Sequence, residues 1–110
     1  MKEVADFVVM EWHCGKEYSF APNSKSTIDP VEEMEEEDYF PLTYSPSIRN
    51  REIRQFAIDN GADLVICHHP HITQGLEVYK DKLIAHSLGN FVFDLEYPET
   101  FPSMILNAKV

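Results

Sequence analysis

The stretch Asn60-Gly61-Ala62-Asp63-Leu64-Val65-Ile66-Cys67-His68-His69-Pro70-His71 decides the fold. Its centre, Leu64-Val65-Ile66, is a short continuous apolar run. Such a run reads as a buried strand, here over 62–68, parallel to its neighbours. Asn60-Gly61 closes a helix just before it, because glycine takes the left-handed conformation at little cost beyond the last helical residue. Ser45-Pro46 opens that helix near 46–60, with a hydroxyl cap and then proline where its missing N–H costs nothing. Ile53, Phe56 and Ala57 fall at i, i+3 and i+4 and form a narrow apolar stripe along it.

Working outward, Phe7-Val8-Val9-Met10 gives a second buried strand near 4–13. Strand, long connection with a helix, then strand implies a right-handed βαβ crossover, and the fold class is α/β. On the other side, short strand-like runs at 76–79 and 82–87 flank Lys80-Asp81, which reads as a hairpin turn. Phe91 to Asp94 resumes a strand after Gly89-Asn90, and Ser103 to Val110 reads as a last one, making 76–110 a strand and hairpin region. Phe91-Val92-Phe93 is expected in the core. Residues 19–44 interrupt this pattern with turn formers and the carboxylate run from Glu32 to Asp38, and read as a solvated acidic surface insertion. Both ends of the chain read as cut from something larger.

At 110 residues, 44% hydrophobic and 12% aromatic, the sequence makes at most one domain. A formal net charge of −10 excludes a nucleic-acid backbone as partner, which would need clustered Lys and Arg. It also opposes steering of an anionic substrate unless bound cations reverse the field locally. No signal peptide or apolar run of membrane-spanning length is present in these residues. Cys14 and Cys67 are too few for a disulfide scaffold and read as reduced thiols near strand ends, the alternative being a disulfide between them, which would need an oxidising compartment.

The chemistry-bearing residues follow the two buried strands, as Trp12-His13-Cys14-Gly15-Lys16-Glu17-Tyr18 and as Cys67-His68-His69-Pro70-His71. In open α/β sheets ligands bind at the carboxyl ends of strands. Pro70 disfavours helix at His69 and is expected to keep the segment extended. Alternation then sends His69 and His71 to one side, where they converge on a metal, and His68 to the other, in a supporting role. A ligating imidazole needs a partner for its second nitrogen, and Glu17, Ser87 and Asn90 are candidates.

With these residues in place, the sequence resembles the CapA family, the poly-γ-glutamate capsule synthesis proteins, a branch of the calcineurin-like metallophosphoesterases. His13-Cys14-Gly15-Lys16-Glu17-Tyr18 resembles the family's His-x-Gly-x-Glu-Tyr. Gly61-Ala62-Asp63 running into His69-Pro70-His71 resembles its second motif, and Ser87-Leu88-Gly89-Asn90-Phe91 its third. The resemblance implies a calcineurin-like α/β sandwich of which 1–110 is the C-terminal part. It implies His13, His69 and His71 as ligands of a centre of two divalent ions, Mn, Fe or Zn. It further implies a phosphorylated, polyglutamate or other envelope-polymer substrate, and a place in the cell envelope. The family's Asp-x-His, bridging Asp and Asn-His ligands are not in these residues, which implies a missing N-terminal half as partner. Cys67 stands where many relatives carry glycine.

Three other readings remain at this point. A His86-Ser87 nucleophile pair would lack the glycines of a nucleophile elbow, and its two residues face opposite ways. Cys14, Cys67 and two histidines would suit a mononuclear zinc ion, without the usual Cys-x-x-Cys. A non-catalytic scaffold or interaction module of the same fold is the third.

Overall fold

The computed structural model describes residues 3–15, 17–19 and 46–110, with helix side chains from Asn50 onward. The Ser45 cap, and all of the acidic insertion except Ser19, lie outside the described residues. The elements are β1 (Val9–His13), α1 (Pro46–Asp59), β2 (Leu64–His68), β3 (Leu76–Tyr79) and β4 (Lys82–Ala85), followed by a 3₁₀ turn at Pro98–Thr100.

The four strands form one mixed sheet in the order β1-β2-β4-β3. β2 is central and pairs in parallel with β1 (Val9 opposite Leu64, His13 opposite His68) and with β4 (Leu64 opposite Leu83). This is the parallel pairing that a strand–helix–strand connection demands. β3 and β4 form the expected hairpin. Lys80 and Asp81 both take positive φ, 50° and 60°, as a two-residue turn with the twist of the flanking strands requires. Asp63 fastens the start of the sheet. Its Oδ2 accepts the Val8 N–H at 2.9 Å, and its Oδ1 meets Lys82 Nζ at 2.8 Å.

The core lies between α1 and one face of the sheet. Ile58, Ala62, Val65, Cys67 and Ile84 are buried there, and Met10, Trp12 and Cys14 pack on them from β1. β1 departs from the expected buried strand. It begins at Val9, lies at the edge of the sheet among the described residues, and alternates exposed and half-buried residues, with Val9 48% exposed. An edge strand with one covered face buries only alternate side chains, so an apolar run alone does not make it interior.

The helix ends as expected. Gly61 has φ 105°, and the Ala62 and Gly61 N–H groups close on the Ala57 and Ile58 carbonyls, the paired bonds of a Schellman cap. Its buried face is a different one from the expected stripe. Phe56 is exposed, while Asn50, Arg54 and Ile58 are buried. Arg54 is drawn inside by polar partners: Nη1 meets His86 Nδ1 at 2.8 Å, and Nη2 donates to the Cys14 carbonyl at 3.1 Å. His86 Nε2 in turn meets Glu77 Oε2 at 2.8 Å, and Glu77 also accepts from Arg51 and Gln55.

That network sets an acid response. Burial pushes His86 below its ordinary 6.5, the Glu77 contact opposing and Arg54 assisting. The Arg51 hydrogen bond holds Glu77 down to about 2 from 4.5, against burial and with help from His86 and Gln55. Both folded-state values lie below the unfolded ones, so the unfolded chain binds protons first and stability falls with falling pH. The urea midpoint is expected to decline first below pH 6.5 and again below 4.5 toward 2. His86→Gln should weaken the first decline and leave most of the second, which rests chiefly on Arg51. A midpoint flat between pH 7 and 5 would contradict this.

Downstream of β4 the expected strands are not found. Phe91, Val92 and Ile105 are 80%, 85% and 78% exposed and belong to no strand, so the Phe91-Val92-Phe93 run is not core. A strand needs a ladder partner. Here the attachments are an antiparallel bridge between Thr73 and Leu88 and a bond from the Met104 N–H to the Leu88 carbonyl. Among the described residues no helix is long and apolar enough to cross a membrane.

Candidate metal centre

Pairing of β1 with β2 continues past both strands. The Cys14 N–H donates to the His68 carbonyl at 3.1 Å, and the Tyr18 N–H to the Pro70 carbonyl at 2.9 Å. The loop after β1 therefore runs beside the loop after β2. Gly15 makes the approach possible. Its φ is 127°, and a Cβ there would lie 3.2 Å from Arg54 Nη2 and 3.3 Å from Pro70 Cγ.

His69 and His71 were expected to converge from an extended segment, and the structure differs on both points: their rings stand 6.4 Å apart, in separate contacts. His69 and His71 have φ 103° and 59°, so the segment around Pro70 is not extended. Two residues in the left-handed region turn the rings, where simple alternation would have served an extended strand. Such conformations are costly for side chains with a Cβ, and they concentrate where a structure holds groups for a purpose.

His13 Nε2 and His69 Nδ1 face each other at 3.2 Å. His71 Nε2 lies 3.3 Å from Glu17 Oε1, and its Nδ1 meets Asn90 Oδ1 at 2.8 Å. With that oxygen as acceptor, Nδ1 carries a hydrogen, and Nε2 is the ring nitrogen turned toward Glu17. The rings of His69 and His71 are 6.4 Å apart. Burial foremost pushes His69 below its ordinary 6.5, as do His13 and His71, with Glu17 opposing. A neutral imidazole is the form that binds a metal.

Two donors about 2.0–2.1 Å from one tetrahedral ion stand roughly 3.3 Å apart. Both close pairs, His13 with His69 at 3.2 Å and His71 with Glu17 at 3.3 Å, have that spacing. The donor chemistry fits a borderline divalent ion such as Mn, Fe or Zn. Among the described residues no three His, Cys, Asp or Glu side chains form a group able to hold an ion as they stand. The donors come as two pairs.

The other expected residues divide. His68 is apart from the pairs and faces Glu11, Nε2 to Oε1 at 3.1 Å. Asn90 and Glu17 both touch His71. Ser87 is buried, and its Oγ accepts the Gly89 N–H at 3.3 Å, so it shapes the turn that presents Asn90. Gly89 is required in that turn: at φ 74°, an added Cβ would lie 2.8 Å from the Pro102 carbonyl oxygen. Sequence reasoning missed the aromatic surround of His71. Tyr18 stacks on its ring at 5.9 Å, and Phe93 lies tilted at 4.9 Å. No periodicity carries that signal.

Cys14 and Cys67 are free thiols that pack with the core on the helix side. The hydrogen bond from Cys67 holds Cys14 down to about 6, against burial and with Arg54 assisting, while Cys67 is pushed up by the same contact. A zinc site combining both cysteines with the histidines would need them turned out of that core.

Comparison with known proteins bears on this arrangement. The sequence model described as "Bacterial capsule synthesis protein PGA_cap" matches residues 41–95. The chain is 33% identical over 105 residues to the "PGA biosynthesis protein CapA" of Bacillus subtilis (strain 168), covering 96% of this chain and 21% of that protein. It is 33% identical over 102 residues to the "Capsule biosynthesis protein CapA" of Bacillus anthracis, covering 93% and 19%. A 37-residue stretch is 51% identical to the "Uncharacterized protein y4sH" of Sinorhizobium fredii. The chain thus spans about a fifth of the length of the two capsule proteins, at 21% and 19%. No solved structure matches it.

Proposed function

Because the chain belongs to the bacterial capsule synthesis protein family PGA_cap, we propose that it is a segment of a capsule-synthesis protein and supplies part of its divalent metal centre. The observation that carries this reading is the meeting of His13 with His69 and of His71 with Glu17 at ligand-like spacing. His13 and His69 would hold one ion and His71 with Glu17 another, the two-ion centre of a calcineurin-like fold. Asn90 orients the His71 ring through Nδ1 and so keeps Nε2 available. Burial keeps His69 neutral near pH 7. Divalent ions bound here would supply Lewis acidity toward a phosphoryl oxygen and a reactive hydroxide at neutral pH. They would also offset the −10 formal charge locally, which favours an anionic substrate: a phosphate ester, polyglutamate or a related envelope polymer.

One observation favours a second reading, a non-catalytic scaffold: among the described residues no three donors form a metal-holding group. Hydrolysis separates the two. A full-length family protein carrying this segment is expected to hydrolyse a generic phosphodiester only with Mn, Fe or Zn present. His13→Ala and His71→Ala should each lower turnover by about 100-fold or more. No metal-dependent turnover in the unsubstituted protein would favour the scaffold reading, and turnover insensitive to both substitutions would remove these residues from the centre.

A further inference from the structure

A second chemical cluster lies on the helix side of the sheet, away from the paired histidines. Trp12 and Cys67 are register partners in the parallel pair of β1 and β2. Cys14, two residues beyond Trp12, projects to the same face by alternation. The backbone at this point is fixed by the bond from the Cys14 N–H to the His68 carbonyl at 3.1 Å. Cys14 packs against the buried cluster that contains Cys67, and both thiols are free. Arg54 Nη2 holds Cys14 from the other side, 3.1 Å from its carbonyl oxygen and 3.7 Å from its Sγ. Cys67 is fully buried, whereas Cys14 keeps some exposure.

We propose that Cys14 and Cys67 are a redox-active pair, closed to an intramolecular disulfide by hydrogen peroxide. Cys14 is the entry point, because it is the thiol that solvent reaches. Its sulfur attacks one peroxide oxygen, the O–O bond breaks, and the departing hydroxide takes the thiol proton as water. Cys14 is then a sulfenic acid. The Cys67 sulfur attacks Cys14 Sγ, the S–O bond breaks, and hydroxide leaves with the Cys67 proton as a second water. Two thiols lose two electrons, and one peroxide becomes two waters.

The link would tie the strand end next to His13 to the strand that leads into His69. It would therefore fix the two arms of the proposed centre relative to each other. That consequence rests on the metal reading, whereas disulfide formation does not.

The test treats the reduced, metal-free chain with equimolar hydrogen peroxide, alkylates residual thiols and maps peptides by mass. The expected result is a loss of about 2 Da and a peptide joining Cys14 to Cys67, removed by dithiothreitol. The link should form roughly 10-fold faster in native buffer than in urea, since the fold already places both cysteines on one face of adjacent strands. Cys14→Ser should abolish the 2 Da loss of about one disulfide. Mapping of the unsubstituted chain stands even if that variant does not fold. Oxygen adducts on Cys14 without the joined peptide would overturn the proposal. So would links between chains, unreacted thiols, or equal rates in buffer and urea.

Discussion

Replacing Arg54 with alanine is expected to destabilise the fold by about 3–5 kcal/mol. The side chain is fully buried. Nη1 meets His86 Nδ1 at 2.8 Å, and Nη2 donates to the Cys14 carbonyl at 3.1 Å. Alanine would leave both acceptors without those donors and open a cavity beside Gly15, whose place for a Cβ is already 3.2 Å from Nη2. A domain of this size is stable by only about 5–15 kcal/mol, so a loss of this order removes much of the total. One term opposes it. Arg54 Nε is buried without a partner, so part of the cost of burying the guanidinium is uncompensated in the native chain. Arg54→Met, which fills the volume without the charge, should therefore cost less than alanine. Arg51→Ala is the control, because that side chain is 54% exposed and its pairing with Glu77 is screened by solvent. Urea unfolding followed by circular dichroism reads all three. An Arg54→Ala midpoint equal to that of Arg51→Ala would show that the network is ornament.

Arg54 also shows where sequence reading stops. The helix limits were legible because local chemistry sets them: proline at the start, and Asn60-Gly61 at the end, where Gly61 takes φ 105°. The hairpin was legible for the same reason at Lys80-Asp81, and β2 because a run of apolar residues needs cover on both sides. The helix face was not legible. Apolar spacing selected Phe56, whereas the buried face follows Asn50 and Arg54, and the partners of Arg54, Cys14 and His86, lie just past the ends of strands distant in sequence. The edge position of β1 was hidden likewise, since an apolar run does not say how many neighbours a strand has. Residues 91–94 have strand-like composition and no ladder to join.

The site divides along the same line. Its location at the ends of β1 and β2 follows from where parallel strands deliver their side chains, and the residue types at those ends suggested a metal. His69 and His71 were expected to converge on one ion from an extended segment; instead both take positive φ, their rings stand 6.4 Å apart, and each meets a different residue, His13 and Glu17. Asn90, one of the residues named for the second nitrogen of a ligating imidazole, meets His71 across 19 positions of chain, while the Tyr18 and Phe93 rings around His71 had no such signal.

Mn or Zn is expected to stabilise this chain, and the effect should vanish when one donor is removed from each pair. An ion that binds only the folded state at about 100 times its Kd adds roughly 2.7 kcal/mol. For a domain of this size that raises Tm by about 10 °C or more. His69→Ala breaks the pair with His13, and His71→Ala breaks the pair with Glu17. The double variant should therefore melt at one temperature with and without metal. His68→Ala should keep the full shift, because His68 faces Glu11 rather than either pair. Protons compete with the metal for the same nitrogens. Burial pushes His69 below 6.5, so its nitrogen stays open to metal at pH values where an ordinary histidine is protonated. The shift should accordingly persist somewhat below pH 6.5 and disappear on further acidification. A metal-independent Tm in the unsubstituted chain would remove the metal centre from these residues. An undiminished shift in the double variant would move it elsewhere in the molecule. A shift lost with His68→Ala alone would mean that the ion sits on the Glu11 side of the sheet, where the present geometry assigns none.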